Sequence, residues 1–180
     1  MSIKSFLARK WAQYIRKKID LWAKDPIPTQ EKILSSLIQK AKNTVFGKDH
    51  HFDQIHSYED FVKQVPIRDY EALSPYIERV KEAQSDILWP GKPLYFAKTS
   101  GTTSGAKYIP LTKESMPYHI QAARDAIMCY IAQTGKADFV NGKMIFLQGS
   151  PILEKKNGIL LGRLSGISAH YVPKYLQRNR

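Results

Sequence analysis

Across Trp89-Pro90-Gly91-Lys92-Pro93 the hydrophobic period of the chain changes. Upstream of this turn, apolar residues recur at helical spacing; downstream they gather in short runs bounded by turn residues, the pattern of buried strands. Ile3, Phe6, Leu7, Trp11, Ile15, Ile19 and Trp22 place an amphipathic helix over residues 3–24. Asp25-Pro26-Ile27-Pro28 is expected to break it, because proline fixes φ and the residue before it avoids the helical region. A second helix is expected from Thr29 as N-cap, burying Ile33, Leu34, Leu37, Ile38 and Ala41. Residues 43–56 read as irregular. Ser57 with Asp60 forms a capping-box pattern ahead of Phe61 and Val62, and Ser74-Pro75 is expected to open a helix that turns Tyr76, Ile77 and Val80 inward.

Beyond the turn, Leu94-Tyr95-Phe96-Ala97 and Tyr108-Ile109-Pro110-Leu111 read as two strands flanking a loop. Thr112 or Ser115 then starts a long helix with Ile120, Ala123, Ile127 and Ile131 as core positions, ending by Gly135. Met144-Ile145-Phe146-Leu147 suits a buried strand and Gly158 to Leu164 another. Helices followed by strands mixed with a helix define an α/β chain. The strands are fewer than a closed sheet of that class needs, so the expectation is helices packed on an incomplete mixed sheet.

With 180 residues, 43% of them apolar and 24% charged, the chain has the composition of a globular protein with one real core. No apolar run reaches bilayer-spanning length, and the basic residues near the N-terminus interrupt any secretory pattern. A lone cysteine, Cys129, cannot form an internal disulfide, which fits a reducing compartment; the expected location is the cytoplasm. The net charge of +12 is uneven. Residues 1–24 hold Lys4, Arg9, Lys10, Arg16, Lys17, Lys18 and Lys24 against Asp20 alone, while later charges are interspersed with acidic neighbours. That is one basic helix with ordinary solvated faces elsewhere, so a nucleic-acid partner is not expected. The same helix, acting on RNA or an anionic membrane surface, is nonetheless the basis of one alternative reading, a non-catalytic basic binding module.

The loop between the two strands is Thr99-Ser100-Gly101-Thr102-Thr103-Ser104-Gly105-Ala106-Lys107. Its glycines permit backbone geometry closed to other residues, and successive N–H groups in such turns make an anion-binding concavity. Thr99, Ser100, Thr102, Thr103 and Ser104 supply five hydroxyls for phosphate oxygens or a magnesium ion, and Lys107 adds a full charge on a flexible stem. A polar hairpin loop would also be rich in glycine, serine and threonine. The complete arrangement ending in lysine favours a polyphosphate. It is not a Walker A loop, since Ala106 precedes the lysine and Tyr108 follows it.

This nine-residue loop resembles the phosphate loop of the acyl-adenylating superfamily. Its surroundings narrow the resemblance. Thr44-Val45-Phe46-Gly47, Tyr58-Glu59-Asp60-Phe61, Val65-Pro66-Ile67-Arg68-Asp69-Tyr70-Glu71, Tyr76-Ile77-Glu78-Arg79-Val80, Leu88-Trp89-Pro90-Gly91 and Tyr108-Ile109-Pro110 follow in the order seen in the N-terminal part of the Gretchen Hagen family. Those are auxin-responsive acyl-acid-amido synthetases. The resemblance implies that residues 1–180 are a partial N-terminal adenylating domain. Within it, residues 1–28 form a basic helix and proline-rich break, 94–111 form a strand–phosphate loop–strand unit, and the family's C-terminal domain has no counterpart. It implies ATP and Mg2+ as cofactors, and carboxylic acid and amino acid substrates joined through an acyl-adenylate. By carry-over, Thr99, Ser100, Gly101, Thr102, Thr103, Ser104, Gly105 and Lys107 are the phosphate contacts. The family's adenine- and ribose-binding motifs are not found before Arg180, so the 180-residue chain alone is expected not to complete the reaction. The acyl-CoA synthetase branch of the superfamily shares the loop and is the enzymatic alternative.

Other candidates have simpler readings. Asp49, His50, His51, Asp53 and His56 suggest metal ligation, but adjacent histidines rarely point the same way, and a polar surface loop is the simpler expectation. Cys129 suits a small core residue of the long helix. His119 and Gln121, on the same helix, would lie near an acyl pocket by the resemblance, although a structural role is the plainer expectation.

Overall fold

The computed structural model describes residues 2–99, 105–143, 145 and 147–172. Helix α1 spans Ile3–Lys24, opened by Ser2, whose hydroxyl accepts from the Lys4 N–H at 3.1 Å. It ends at Asp25, and helix α2 (Pro26–Ala41) starts at the next residue, three positions before Thr29. The break is therefore one residue long. Pro26 stands at the first helical position, where its missing N–H costs nothing because the first-turn donors have no partner within the helix. The same argument covers Pro28.

Residues 45–54 are not irregular. Helix α3 (Val45–Asp49) and a 3-10 turn (Phe52–Gln54) pack against the end of α2. The device is Thr44, which is 1% exposed. Its Oγ1 accepts from the Gly47 N–H at 3.0 Å and donates to the Ala41 carbonyl at 2.7 Å, so one hydroxyl ends α2 and caps α3. Helix α4 (Tyr58–Gln64) carries the full capping box expected from Ser57 and Asp60. Helix α5 (Tyr70–Lys81) starts four residues ahead of Ser74 and runs through Pro75. Asp69 is the cap instead, accepting from the Ala72 N–H at 2.8 Å, and Pro75 sits on the exposed side without stopping the helix.

Four strands form one mixed sheet in the order β2-β1-β4-β3, from β1 (Tyr95–Lys98), β2 (Tyr108–Leu111), β3 (Glu154–Lys156) and β4 (Ile159–Gly162). β1 pairs antiparallel with β2 and parallel with β4, and β3 pairs antiparallel with β4. The β3–β4 hairpin is a two-residue turn, Asn157-Gly158, with φ of 50° and 83°. Both central residues are left-handed, which is what a turn matched to strand twist requires and what Asn-Gly supplies. The run Met144–Leu147 does not supply a buried strand. Ile145 and Leu147 are 91% and 97% exposed and lie in no strand, and Met144 and Phe146 fall outside the described residues. The strand beside β1 is β4, supplied by residues further along the chain.

The pleat sends alternate side chains to two cores. Phe96, Ile159 and Leu161 pack with Val80 and Ile87 on one face of the sheet. Ala97 and Leu111 pack on the other with Met116, from helix α6 (Met116–Thr134), and with Ile167, from helix α7 (Leu164–Ala169). α6 ends as expected at Gly135, with φ of 69°. Its closest partner is α1. That seam is built from Ala12, Ile15, Met128 and Ile131, with Ala8 and Ile19 beside it, so of the expected stripe Ile15 and Ile19 face the core and the others do not. Small side chains let two helix backbones approach closely, so Ile3, Phe6, Leu7, Trp11 and Trp22 remain 40% or more exposed. In α2, Ile38 and Ala41 are buried while Ile33 and Leu37 are about half exposed. In α6, Ile131 is buried as expected and Met128 joins it, whereas Ala123 and Ile127 are exposed.

Candidate functional site

The strand register Tyr95↔Leu111 to Lys98↔Tyr108 directs β1 out of the sheet and β2 back into it side by side. One further bond continues the ladder: the Thr99 N–H donates to the Lys107 carbonyl at 3.0 Å. Thr99 and Lys107 thus form the neck of the loop. Gly105 stands two residues before Lys107 with φ of 81°, and open space surrounds the position a Cβ would take. Its glycine is required by backbone conformation and not by crowding. Of the loop residues singled out in the sequence, Thr99, Gly105 and Lys107 are brought together here. Ser100, Gly101, Thr102, Thr103 and Ser104 lie outside the described residues.

The N-terminal turn of α5 supports this neck. The Tyr108 N–H donates to the Tyr70 hydroxyl oxygen at 2.8 Å. Lys107 Nζ lies 5.2 Å from the centre of the Tyr70 ring and 3.7 Å from Glu71 Oε2. The lysine is 34% exposed at its side chain, so its stem is held by the protein while the ammonium still meets solvent. At 3.7 Å and with Glu71 55% exposed, that ion pair is weak and replaceable by a more highly charged anion. At the other end of α5, Lys81 Nζ stands 4.8 Å over the Tyr108 ring and is paired with Glu78 at 2.7 Å. Tyr70 and Glu71 were not singled out as site residues. The signal was present in Asp69-Tyr70-Glu71, a cap followed by an aromatic and an acid, but only the tertiary fold sets it against Lys107.

The histidine-rich segment divides. His50 is 3% exposed, and its Nδ1 lies 2.7 Å from the Phe46 carbonyl oxygen, an acceptor only, so the proton sits on Nδ1. Its ring stacks on Phe46 at 4.0 Å. It is a core residue and not part of a polar surface loop, whereas His51 and His56 are exposed. Among the described residues no group of three or more His, Cys, Asp or Glu side chains could hold a metal ion. Nearby, burial raises the Tyr76 hydroxyl above its usual pKa, helped by its hydrogen bond to Asp49 at 2.8 Å and opposed by Arg68. Burial also pushes Tyr171 up to about 12, with its hydrogen bond to the Tyr95 hydroxyl as the second cause. Cys129 is half-buried on α6; His119 and Gln121 are exposed, Gln121 contacting Asp125 at 3.3 Å. A separate cleft of about 710 Å³ lies between α2, residues 87–93 and the start of α6, and Thr99, Gly105 and Lys107 do not line it.

An α/β chain with a lysine-ended strand–loop–strand unit docked on the first turn of a helix fits the adenylating class of folds. The family model described as the GH3 family N-terminal domain matches residues 15–178, and the chain belongs to that family, the Gretchen Hagen group of the resemblance above. Jasmonoyl–L-amino acid synthetase JAR4 of Nicotiana attenuata is 25% identical over 149 residues, covering 81% of this chain and 25% of the relative. Indole-3-acetic acid-amido synthetase GH3.2 of Arabidopsis thaliana is 28% identical over 102 residues, covering 56% and 19%. The solved structure of GH3.15 acyl acid amido synthetase superposes with a TM-score of 0.74 at 22% identity, over 86% of this chain and 28% of that one. The chain thus spans about a quarter of the length of these relatives. Among the described residues no helix is long and apolar enough to cross a membrane.

Proposed function

We propose that the Thr99–Lys107 loop holds the phosphates of Mg·ATP, and that this chain is the phosphate-binding part of an acyl-adenylate-forming ligase. The reaction would join a carboxylic acid to an amino acid through an amide bond. Membership of the GH3 family supports the ligase class, and the relatives named above are amido and amino acid synthetases by description. The observation that carries the reading is the hydrogen-bonded neck at Thr99 and Lys107. There a left-handed Gly105 and a partly exposed lysine cation, held only loosely by Glu71, meet at the mouth of a loop rich in hydroxyls.

These residues fit a polyphosphate. Lys107 would neutralise charge on the phosphates, including that on departing pyrophosphate, and backbone N–H groups around Gly105 would orient them. Mg2+ would travel with the nucleotide and offset its remaining charge; the hydroxyls of Thr99, Ser100, Thr102, Thr103 and Ser104 are the side chains suited to it. The neck does the positioning. With the ladder continuing to Thr99, the two ends of the loop, Thr99 and Lys107, are tied to the sheet.

The test is calorimetric titration of the chain with Mg·ATP, alongside Lys107→Ala. Loss of one directed lysine–phosphate contact should weaken binding by about tenfold or more. Equal affinity in the two proteins would overturn the assignment. If binding depends on Lys107, the acyl acid and amino acid would be sought by screening acid-dependent pyrophosphate release in a protein that joins this chain to the family's adenine- and ribose-binding motifs; stimulation by coenzyme A in place of an amino acid would select the acyl-CoA branch instead.

A further inference from the structure

Helix α1 presents to solvent a ridge that its packing on α6 does not use. Ile3, Leu7, Tyr14 and Leu21 are 79%, 60%, 54% and 74% exposed. They are spaced by four and seven residues, which puts them in one line along the helix. Trp11 and Trp22, 40% and 52% exposed, lie together along one side of that line. At 100° per residue, Lys10 and Lys17 stand on one border of the ridge, and Lys4 and Lys18 on the other. Lys18 Nζ lies 4.8 Å from the Tyr14 ring centre and Lys10 Nζ 5.8 Å from that of Phe6, so the lysine stems already lie along the apolar surface.

The cations of this helix divide by side. Its two arginines are used within the chain: Arg9 pairs with Asp138 at 3.7 Å and Arg16 with Asp20 at 2.8 Å. Among the described residues, Lys4, Lys10, Lys17 and Lys18 form no ion pair. Each possible occupant of the ridge must satisfy both its parts. A nucleic acid would meet the lysines but leave the aliphatic centre at Ile3, Leu7 and Leu21 uncovered. A second copy would cover the centre but set two rows of lysines against each other. An anionic lipid surface meets both, accepting the apolar line among its headgroups and the lysines on its phosphates. Four of the six ridge residues, Ile3, Leu7, Trp11 and Tyr14, also precede residue 15, where the family match begins.

We propose that α1 docks the protein peripherally on an anionic lipid bilayer, its axis parallel to the surface and its ridge inserted at headgroup depth. The proposal is independent of what the Thr99–Lys107 loop binds.

The experiment is cosedimentation of the full chain with phosphatidylcholine vesicles, with and without phosphatidylserine, at low and high salt, read together with tryptophan emission. Expected are binding to the phosphatidylserine vesicles, a blue shift from Trp11 and Trp22, and release by salt. Replacing three lysines, in Lys10→Gln/Lys17→Gln/Lys18→Gln, should lower partitioning on the order of a hundredfold. Leu7→Asn/Leu21→Asn should lower it by about tenfold or more through lost apolar burial. All five positions are exposed, so circular dichroism and the melting temperature of both variants should match the parent. Three results would each overturn the proposal: no binding to phosphatidylserine vesicles, equal partitioning of the leucine variant, or a salt-sensitive complex with single-stranded RNA in place of vesicles.

Discussion

Replacing Tyr70 by phenylalanine removes one oxygen from the support under the loop and leaves the ring in place. That oxygen accepts the Tyr108 N–H at 2.8 Å, and among the described residues β2 is the edge of the sheet, with no strand beyond it to take the donor. In Tyr70→Phe the amide must find water in a half-buried position or go unpaired. A net backbone hydrogen bond is worth about 1 kcal/mol, and an orphaned donor costs about 1–3 kcal/mol. Partial access to water at Tyr108 favours the lower part of that range, about 1.5 kcal/mol. For a chain of this size that lowers the melting temperature by about 3–6 °C. The loss should also be local: hydrogen exchange at the Tyr108 amide should speed up by about tenfold, while amides in the α1–α6 seam change only as global stability does. The ring under Lys107 survives, so Mg·ATP affinity should stay within about twofold of the parent. Tyr70→Leu, which loses ring and oxygen together, should cost more in stability. An unchanged Tyr108 exchange rate and melting temperature in Tyr70→Phe would refute the reasoning, because the hydroxyl would then carry none of the docking between α5 and the neck.

Glu71→Gln should raise Mg·ATP affinity by about two- to fivefold by freeing Lys107 from its weak ion pair, an effect that calorimetry should find shrinking at high salt. Gly47→Ala should destabilise by about 3 kcal/mol in urea titration, since the added Cβ would collide with the backbone carbonyl oxygen of Ala41 and neither backbone can step aside without undoing the Thr44 cap. The Asp60 carboxyl is held below its ordinary 3.8, first by the His56 N–H and then by the Ser57 side chain. Its folded value being the lower one, its stabilising contribution is present above pH 3.8 and is lost as pH falls below that through the depressed value. A carboxyl NMR titration should find the Asp60 midpoint under 3.8, and Ser57→Ala should move it upward; a midpoint at or above 3.8 would be inconsistent with the capping box.

The difference between what was legible and what was not follows the range of the forces involved. Sequence patterns carry local physics: a 3.6-residue period, a Ser–x–x–Asp box, a glycine that ends α6, a loop whose residue types suit phosphate. These placed α1, α4, α6 and the two strands flanking the loop, and indicated an incomplete mixed sheet. Asn157-Gly158 is an equally local signal for the β3–β4 hairpin. Errors arose where two local signals compete and a distant contact decides. Ser74-Pro75 looks like a helix start, yet Asp69 caps earlier, where Tyr70 then reaches β2. Met144–Leu147 looks like a buried strand, yet its described residues Ile145 and Leu147 are exposed, and the strand beside β1 is β4. On α1 the apolar period correctly predicted a helix and the burial of Ile15, but not that Ser5, Ala8 and Ala12 share that face while Ile3, Phe6, Leu7 and Trp11 stay exposed, because the period does not register size.

By itself, then, the sequence determined the α/β class, the family and the chemistry available in the Thr99–Lys107 loop, since each depends on residue types and their order along the chain. Only the tertiary structure decided that Tyr70 and Glu71 brace and partner the loop lysine, that His50 is a core residue, and that the broad face of α1 is left to solvent. Those depend on contacts between residues tens of positions apart, whose free energies are set by distance and burial, and neither quantity is written in local order.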